Sequence, residues 1–225
     1  MSGFQDDTGF RALSEVEAYW HGLRTLPDNG GGVPKRSDID PRGIENALEF
    51  AFILEKIAPG LARLRIAGMH LSDLMGMEVR GMPISSFLPS AARSGFSEMF
   101  EDMLTRPALA KLKLSAETGI GKPPLEGRMI LCPLRNDFGD ISRVLGCFET
   151  RGPIGRAPRR FNLLETTLVP VADMVKNSHR FARSEEQPNL DPALRDPGAR
   201  FRHRGGDDEK APQRPSYLRL VKSDE

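Results

Sequence analysis

Two thiols and four imidazoles are the side chains whose types could do chemistry in this sequence, and their spacing argues against most of it. Cys132 and Cys147 form no Cys-x-x-Cys pair, so neither a disulfide framework nor a structural zinc site is expected. Both fall in strand-like segments joined by a short turn near residues 138–139, which would bring them nearly opposite each other. Opposed Cβ atoms lie about 4.5–5.5 Å apart. One reading is a redox switch, and the other is a pair of small apolar strand residues. His70 stands alone just after Gly68, and His21, His179 and His203 lack partners at ligand spacing. No Walker loop, Gly-x-Ser-x-Gly or His-Glu-x-x-His run occurs, and no two carboxylates can be placed together. The expectation is therefore no catalytic residue, no metal and no cofactor, and the chain does not read as an enzyme.

Composition narrows the class further. The 225 residues suffice for one or two domains with a sizeable core. Hydrophobic residues make up 39% and charged residues 28%, a globular balance. The 32 basic and 31 acidic residues leave a formal charge of +1, which asks for neither nucleic acid nor an anionic membrane. The basic group Arg151, Arg156, Arg159 and Arg160 has no interleaved aromatics and reads as a solvated linker. No run approaches the about 18 apolar residues of a membrane span. The first twenty residues are acidic and lack the apolar stretch of a secretory signal, so a cytoplasmic location is expected.

The elements that would position these residues follow from periodicity. Phe10, Leu13, Val16, Trp20 and Leu23 recur at helical spacing, with Ser14 and Glu17 fitting a capping box and Thr8 an equal candidate for the cap. A Gly- and Pro-rich loop follows, and Asp40-Pro41 opens a short helical stretch. Leu48, Phe50, Phe52 and Leu54 alternate with Glu49 and Glu55, and Ala62, Leu64 and Ile66 alternate with Arg63 and Arg65 across Pro59-Gly60, predicting a hairpin of half-buried strands. Short helical pieces broken at Gly76, Gly81, Pro83 and Pro89 lead to a longer helix carrying Phe96, Met99, Phe100 and Met103. Three strands come next, around residues 112–116, 127–135 and 143–150, the last two as a hairpin. Phe161, Leu164, Leu168, Val171 and Val175 predict a C-terminal helix disturbed by Pro170. Beyond residue 185 the chain is too polar and Pro-rich to bury a core and reads as disordered, with residues 217–221 as a short docking segment.

This order, helix, two strands, short helices, three strands, predicts an α+β fold with a five-stranded antiparallel sheet and its helices on one face, flanked by N- and C-terminal helices. Here the sequence resembles the PAS family, most closely a small bacterial branch in which one PAS domain occupies most of the chain. The resemblance is carried by Arg36-Ser-Asp-Ile-Asp-Pro41, by residues 48–54, by Arg65-Ile-Ala-Gly68 and by Leu74-Met-Gly-Met-Glu-Val-Arg-Gly81. It divides the chain into residues 1–37 (helix and loop), 38–150 (PAS-like domain), 151–184 (linker and C-terminal helix) and a tail, 185–225.

The resemblance implies a pocket between helices and sheet, lined by Phe50, Phe52, Ile66, Leu74, Met77, Phe87, Phe96 and Phe100. A filled core without ligand is the competing reading. Haem-binding PAS domains ligate iron through a helical histidine, but no matching motif surrounds His70. The Asn-Cys-Arg-Phe-Leu-Gln run of flavin photosensors is absent. What remains implied is a regulatory protein without an output domain of its own. It would bind other signalling proteins in trans, with an unknown small apolar ligand as an option. PAS domains commonly pair through flanking helices, so the stripe Phe10, Leu13, Val16, Trp20 and Leu23 is expected to make a homodimer. The rival readings are a small enzyme using an α+β cavity and a structural adaptor with a solid core.

Overall fold

Alternating apolar residues build a six-stranded, wholly antiparallel sheet in this computed structural model, which describes residues 9–172. The strands are β1 (Ala51–Ala58), β2 (Leu61–Ala67), β3 (Ala108–Ala116), β4 (Glu126–Arg135), β5 (Ile141–Arg151) and β6 (Phe161–Pro170), in spatial order β2-β1-β5-β4-β3-β6. The helices are α1 (Arg11–Arg24), α2 (Met69–Met75) and α3 (Arg93–Thr105), with 3-10 turns at Arg36–Asp38, Pro41–Ala47, Ile84–Phe87 and Ser90–Ala92. The expected α+β sheet is present, with one strand more than expected.

That extra strand takes residues 161–170, where the start of the C-terminal helix was expected, and the chain turns helical at Val171 and Ala172. Residues 161–170 pair with β3 from Ala108 opposite Pro170 to Ala116 opposite Phe161. The i, i+3, i+7 spacing of Phe161, Leu164 and Leu168 marks no buried face: Phe161 is buried, whereas Leu164 is 65% and Leu168 37% exposed. Thr166, Thr167 and Val169 favour the pleated backbone through their branched Cβ atoms, and Pro170 is tolerated at the strand's end on a sheet edge. Val175, the expected tail and its residues 217–221 lie outside the described residues.

Helices cover both faces, not one. On the first face α2, α3 and the 3-10 turns at Ile84–Phe87 and Ser90–Ala92 pack on Phe52, Leu54, Leu112, Leu131, Val144 and Phe148. On the second, α1 and the turn at Pro41–Ala47 cover Ile53, Ile130, Cys132, Leu134, Leu145 and Cys147. The central strands therefore carry apolar residues at successive positions, as in Met129-Ile-Leu-Cys132 and Val144-Leu145, because period-2 patterning vanishes when both faces are buried. Residues 48–50 precede β1 in a turn, and β1 is buried on both sides at Ala51–Leu54.

Local chemistry fixes the ends. Helix α1 starts at Arg11 rather than at Ser14, and its N-terminal N–H of Ala12 donates to Glu149 Oε2 of β5 at 3.0 Å. That carboxylate does the work expected of a capping box and also pins the helix to the sheet. Gly76 ends α2 in the left-handed region (φ 71°), its N–H donating to Ser72 O at 2.7 Å. Gly146 lies opposite Phe52, and a Cβ there would stand 2.2 Å from the Phe52 ring. The missing side chain is what lets that ring lie on the sheet.

Candidate functional site

The helices and the sheet's first face do meet where a pocket was expected, but aromatic side chains fill the space. Phe52, Leu74, Phe87, Phe96 and Phe100 are each at most 2% exposed. Phe87 meets Phe148 edge to face at 5.9 Å, Phe148 meets Phe161 at 4.9 Å, and Phe96 stacks with Phe100 at 6.1 Å. The other three expected lining residues are elsewhere. Ile66 is 55% and Met77 59% exposed, and Phe50, half-buried, packs with the α1 cluster. A register shift between Ile53 and Leu54 puts Ile66 opposite Ile53, on the sheet's second face, and Met77 follows Gly76, whose left-handed backbone ends α2.

Two openings lie on the surface instead. A cleft of about 120 Å³ sits between the turns at Arg36–Asp38 and Pro41–Ala47 and the β1–β2 pair. Ile44, Phe52 and Ala67 contribute to its floor, Leu48 (42% exposed) and Ile66 form its rim, and Arg36 stands at its side. A larger, mostly apolar cleft of about 670 Å³ lies between the glycine-rich loop (Gly30, Gly32, Val33), the end of α3 (Asp102, Arg106) and the end of β6 (Leu168, Pro170, Val171).

The residues singled out for chemistry are placed as structural groups. His70 Nε2 lies 3.0 Å from Thr150 Oγ1 and the ring packs on Phe50 at 4.9 Å; burial lowers its pKa. Among the described residues, no three His, Cys, Asp or Glu side chains gather as metal ligands. The cysteines share one face but not one rung: Cys147 is opposite Ile130, and Cys132 is opposite Leu145. Such diagonal neighbours are about 7–8 Å apart, beyond the Cβ separation of about 3.5–4.5 Å that a disulfide needs. Burial pushes both thiols well above their usual pKa, which disfavours the thiolate.

The apolar stripe of α1 is also accounted for. Phe10, Leu13, Val16 and Trp20 are buried against the chain's own sheet, and Leu23 is buried as well. The Trp20 indole N–H donates to Pro133 O at 3.0 Å. No part of that stripe is left for a partner. At the helix's end the buried Arg24 donates to the carbonyls of Gly32 (3.1 Å) and Val171 (3.2 Å), tying the glycine loop to the end of β6.

Two charged sites had no sequence signal. Glu55 on β1 receives Arg63, Arg65 and Arg143, and these hydrogen bonds, Arg65 foremost, hold its carboxyl at about 2 despite burial, which acts in the opposite sense. Arg159, expected in a solvated linker, is fully buried; its Nη2 donates to Pro123 O at 2.6 Å and Glu117 O at 3.2 Å, and its Nη1 to Ile154 O.

A sequence model of the PAS domain family matches residues 10–149, well over half of the chain. The match takes in α1 as well as the expected span 38–150. No curated protein matches the chain. Among the described residues, no helix is long and apolar enough to cross a membrane.

Proposed function

Because the chain belongs to the PAS domain family, we propose that it is a regulatory protein of the cytoplasm that works by binding other proteins, as a homodimer and without a catalytic step. One observation carries this reading: the interior between helices and sheet is filled, while an apolar cleft with exposed walls opens on the outside. A domain with a solid interior is read by its partners at its surface. The cleft between Leu48 and Ile66 has room for one apolar side chain of a partner protein, and Arg36 is placed to meet an acidic residue beside it. An apolar anchor in a small pocket is the usual core of an interface.

The test is recovery of partners from the native cell with the tagged chain and with Ile66→Glu. Ile66 is mostly exposed, so the variant keeps its fold, and partner affinity is expected to fall by about tenfold or more. Phe138→Glu, at the exposed tip of the β4–β5 hairpin, should bind as the unaltered chain does. Equal recovery with Ile66→Glu overturns the assignment of the cleft.

A second reading is favoured by the larger cleft. Its volume and apolar walls suit a small apolar ligand, which would then sit at the end of the sheet rather than inside the domain.

A further inference from the structure

The second face of the sheet is covered only in part. Among the described residues, its buried cluster takes in β3, β4, β5 and the start of β1, but no residue of β2. Beyond that cover the surface chemistry of β1 changes in one step. Ile53 lies opposite Leu145 on β5 and Ile66 on β2, and all three line the small cleft. Glu55 stands two residues further on the same face, about 7 Å away at the usual rise of a strand. Its cross-strand neighbours are Arg63 on β2 and Arg143 on β5.

The way these arginines are held leaves them available. Arg63 donates to Glu55 Oε2 through both Nε and Nη2 at 2.9 Å, Arg65 reaches the same oxygen, and Arg143 reaches Oε1. One carboxylate thus gathers three guanidiniums, with a surplus of two positive charges. The Glu55 side chain is 13% exposed and lies beneath, whereas those of Arg63 and Arg65 are 39% and 49% exposed. Each guanidinium has five N–H donors, so most remain for another acceptor. Arginines already fixed by one carboxylate lose little further freedom on meeting a second, and planar guanidinium–carboxylate pairs are among the stronger hydrogen bonds. Arg36 adds a further positive charge beside the cleft. The cleft itself is concave, about 120 Å³, and is filled by a projecting side chain, which a lipid surface does not offer.

We propose that this face takes an acidic segment of a partner protein, with an apolar side chain in the cleft and a carboxylate on Arg63, Arg65 and Arg143. The proposal rests on the surface-binding reading above and adds the chemistry of what is bound. The separation of cleft and arginines matches two residues of extended chain or about one turn of helix. It is tested by selecting a phage-displayed library of random dodecamers on the immobilised full chain. Enriched peptides are expected to carry Asp or Glu within about four residues of a large apolar residue. The most enriched peptide, synthesised and labelled, is then titrated by fluorescence anisotropy. Arg65→Gln combined with Arg143→Gln should weaken its binding by about tenfold or more. Added salt should weaken binding to the unaltered chain and hardly affect the double variant. Arg63 still pairs with Glu55 in that variant; should the variant fail to fold, the salt dependence of the unaltered chain decides.

Peptides without acidic residues, or binding indifferent to both arginines and salt, overturn the proposal. If such peptides still lose affinity with Ile66→Glu, the cleft reading above stands and the acidic class alone falls. Peptides that also ignore Ile66→Glu, or a selection that enriches nothing, remove both. Co-sedimentation with phosphatidylserine vesicles that is lost in the double variant would assign the arginines to a lipid surface and overturn the proposal as well.

Discussion

Trp20→Ala is expected to destabilise the folded chain by about 3–5 kcal/mol, as large-to-small changes in a well-packed core do. The side chain is fully buried between α1 and the second face of the sheet, and its indole N–H satisfies the Pro133 carbonyl. Truncation opens a cavity and orphans that carbonyl. A typical domain has about 5–15 kcal/mol in total, so the loss is a large part of what is available. Urea unfolding measures it directly. Trp20→Phe should cost less, because the ring volume is mostly kept and chiefly the hydrogen bond is lost. The variant also distinguishes two roles for α1. If the helix closes the chain's own core, stability falls while association of the folded fraction is unchanged. If it were a partner-binding helix, association would fall and the urea midpoint would hold.

Arg159→Met should cost about 2–5 kcal/mol, for a different reason. Three carbonyls from two separate connections, at Ile154, Glu117 and Pro123, converge on one buried guanidinium. The backbone N–H of Arg159 donates to Leu74 O at 2.7 Å. The residue thus fastens the β5–β6 connection to the end of α2 and to the β3–β4 connection. A buried acceptor left without a donor costs about 1–3 kcal/mol, and the three share one site, so their losses do not add in full. No carboxylate stands among these partners, so the arginine serves as a geometric fork and not as half of an ion pair. Arg159→Lys is therefore expected to fail nearly as badly, because one ammonium cannot span the acceptors a planar guanidinium reaches. Thermal unfolding of both variants checks this, and a lysine variant as stable as the unaltered chain would contradict it.

The fold was legible in the sequence wherever one local signal had one structural meaning. Alternation marked β2 and β3, the Pro and Gly breaks marked the ends of the short helices, and Gly76 caps α2 as its position suggests. The misreadings share a cause: each signal depended on what lay across from it. Continuous apolar runs in β4 and β5 told of burial on both faces, but only the placement of α1 gives that pattern its meaning. In β6 an accidental helical spacing of leucines outweighed three β-branched residues, because nothing in the segment itself announces that β3 offers a free edge. The candidate site was read in half. Phe52, Leu74, Phe87, Phe96 and Phe100 lie in one buried cluster, yet no sequence pattern distinguishes five side chains around a ligand from five that fill the same volume. Arg159 was invisible because its partners are backbone carbonyls, which every residue has.

Native mass spectrometry of the freshly purified full chain tests the central claim, a PAS domain with a filled interior that acts through its surface. The expected masses are whole multiples of the polypeptide, with no stoichiometric addition. A non-protein mass bound one per chain, and lost when Phe100 is changed to Trp to crowd the interior, would contradict it.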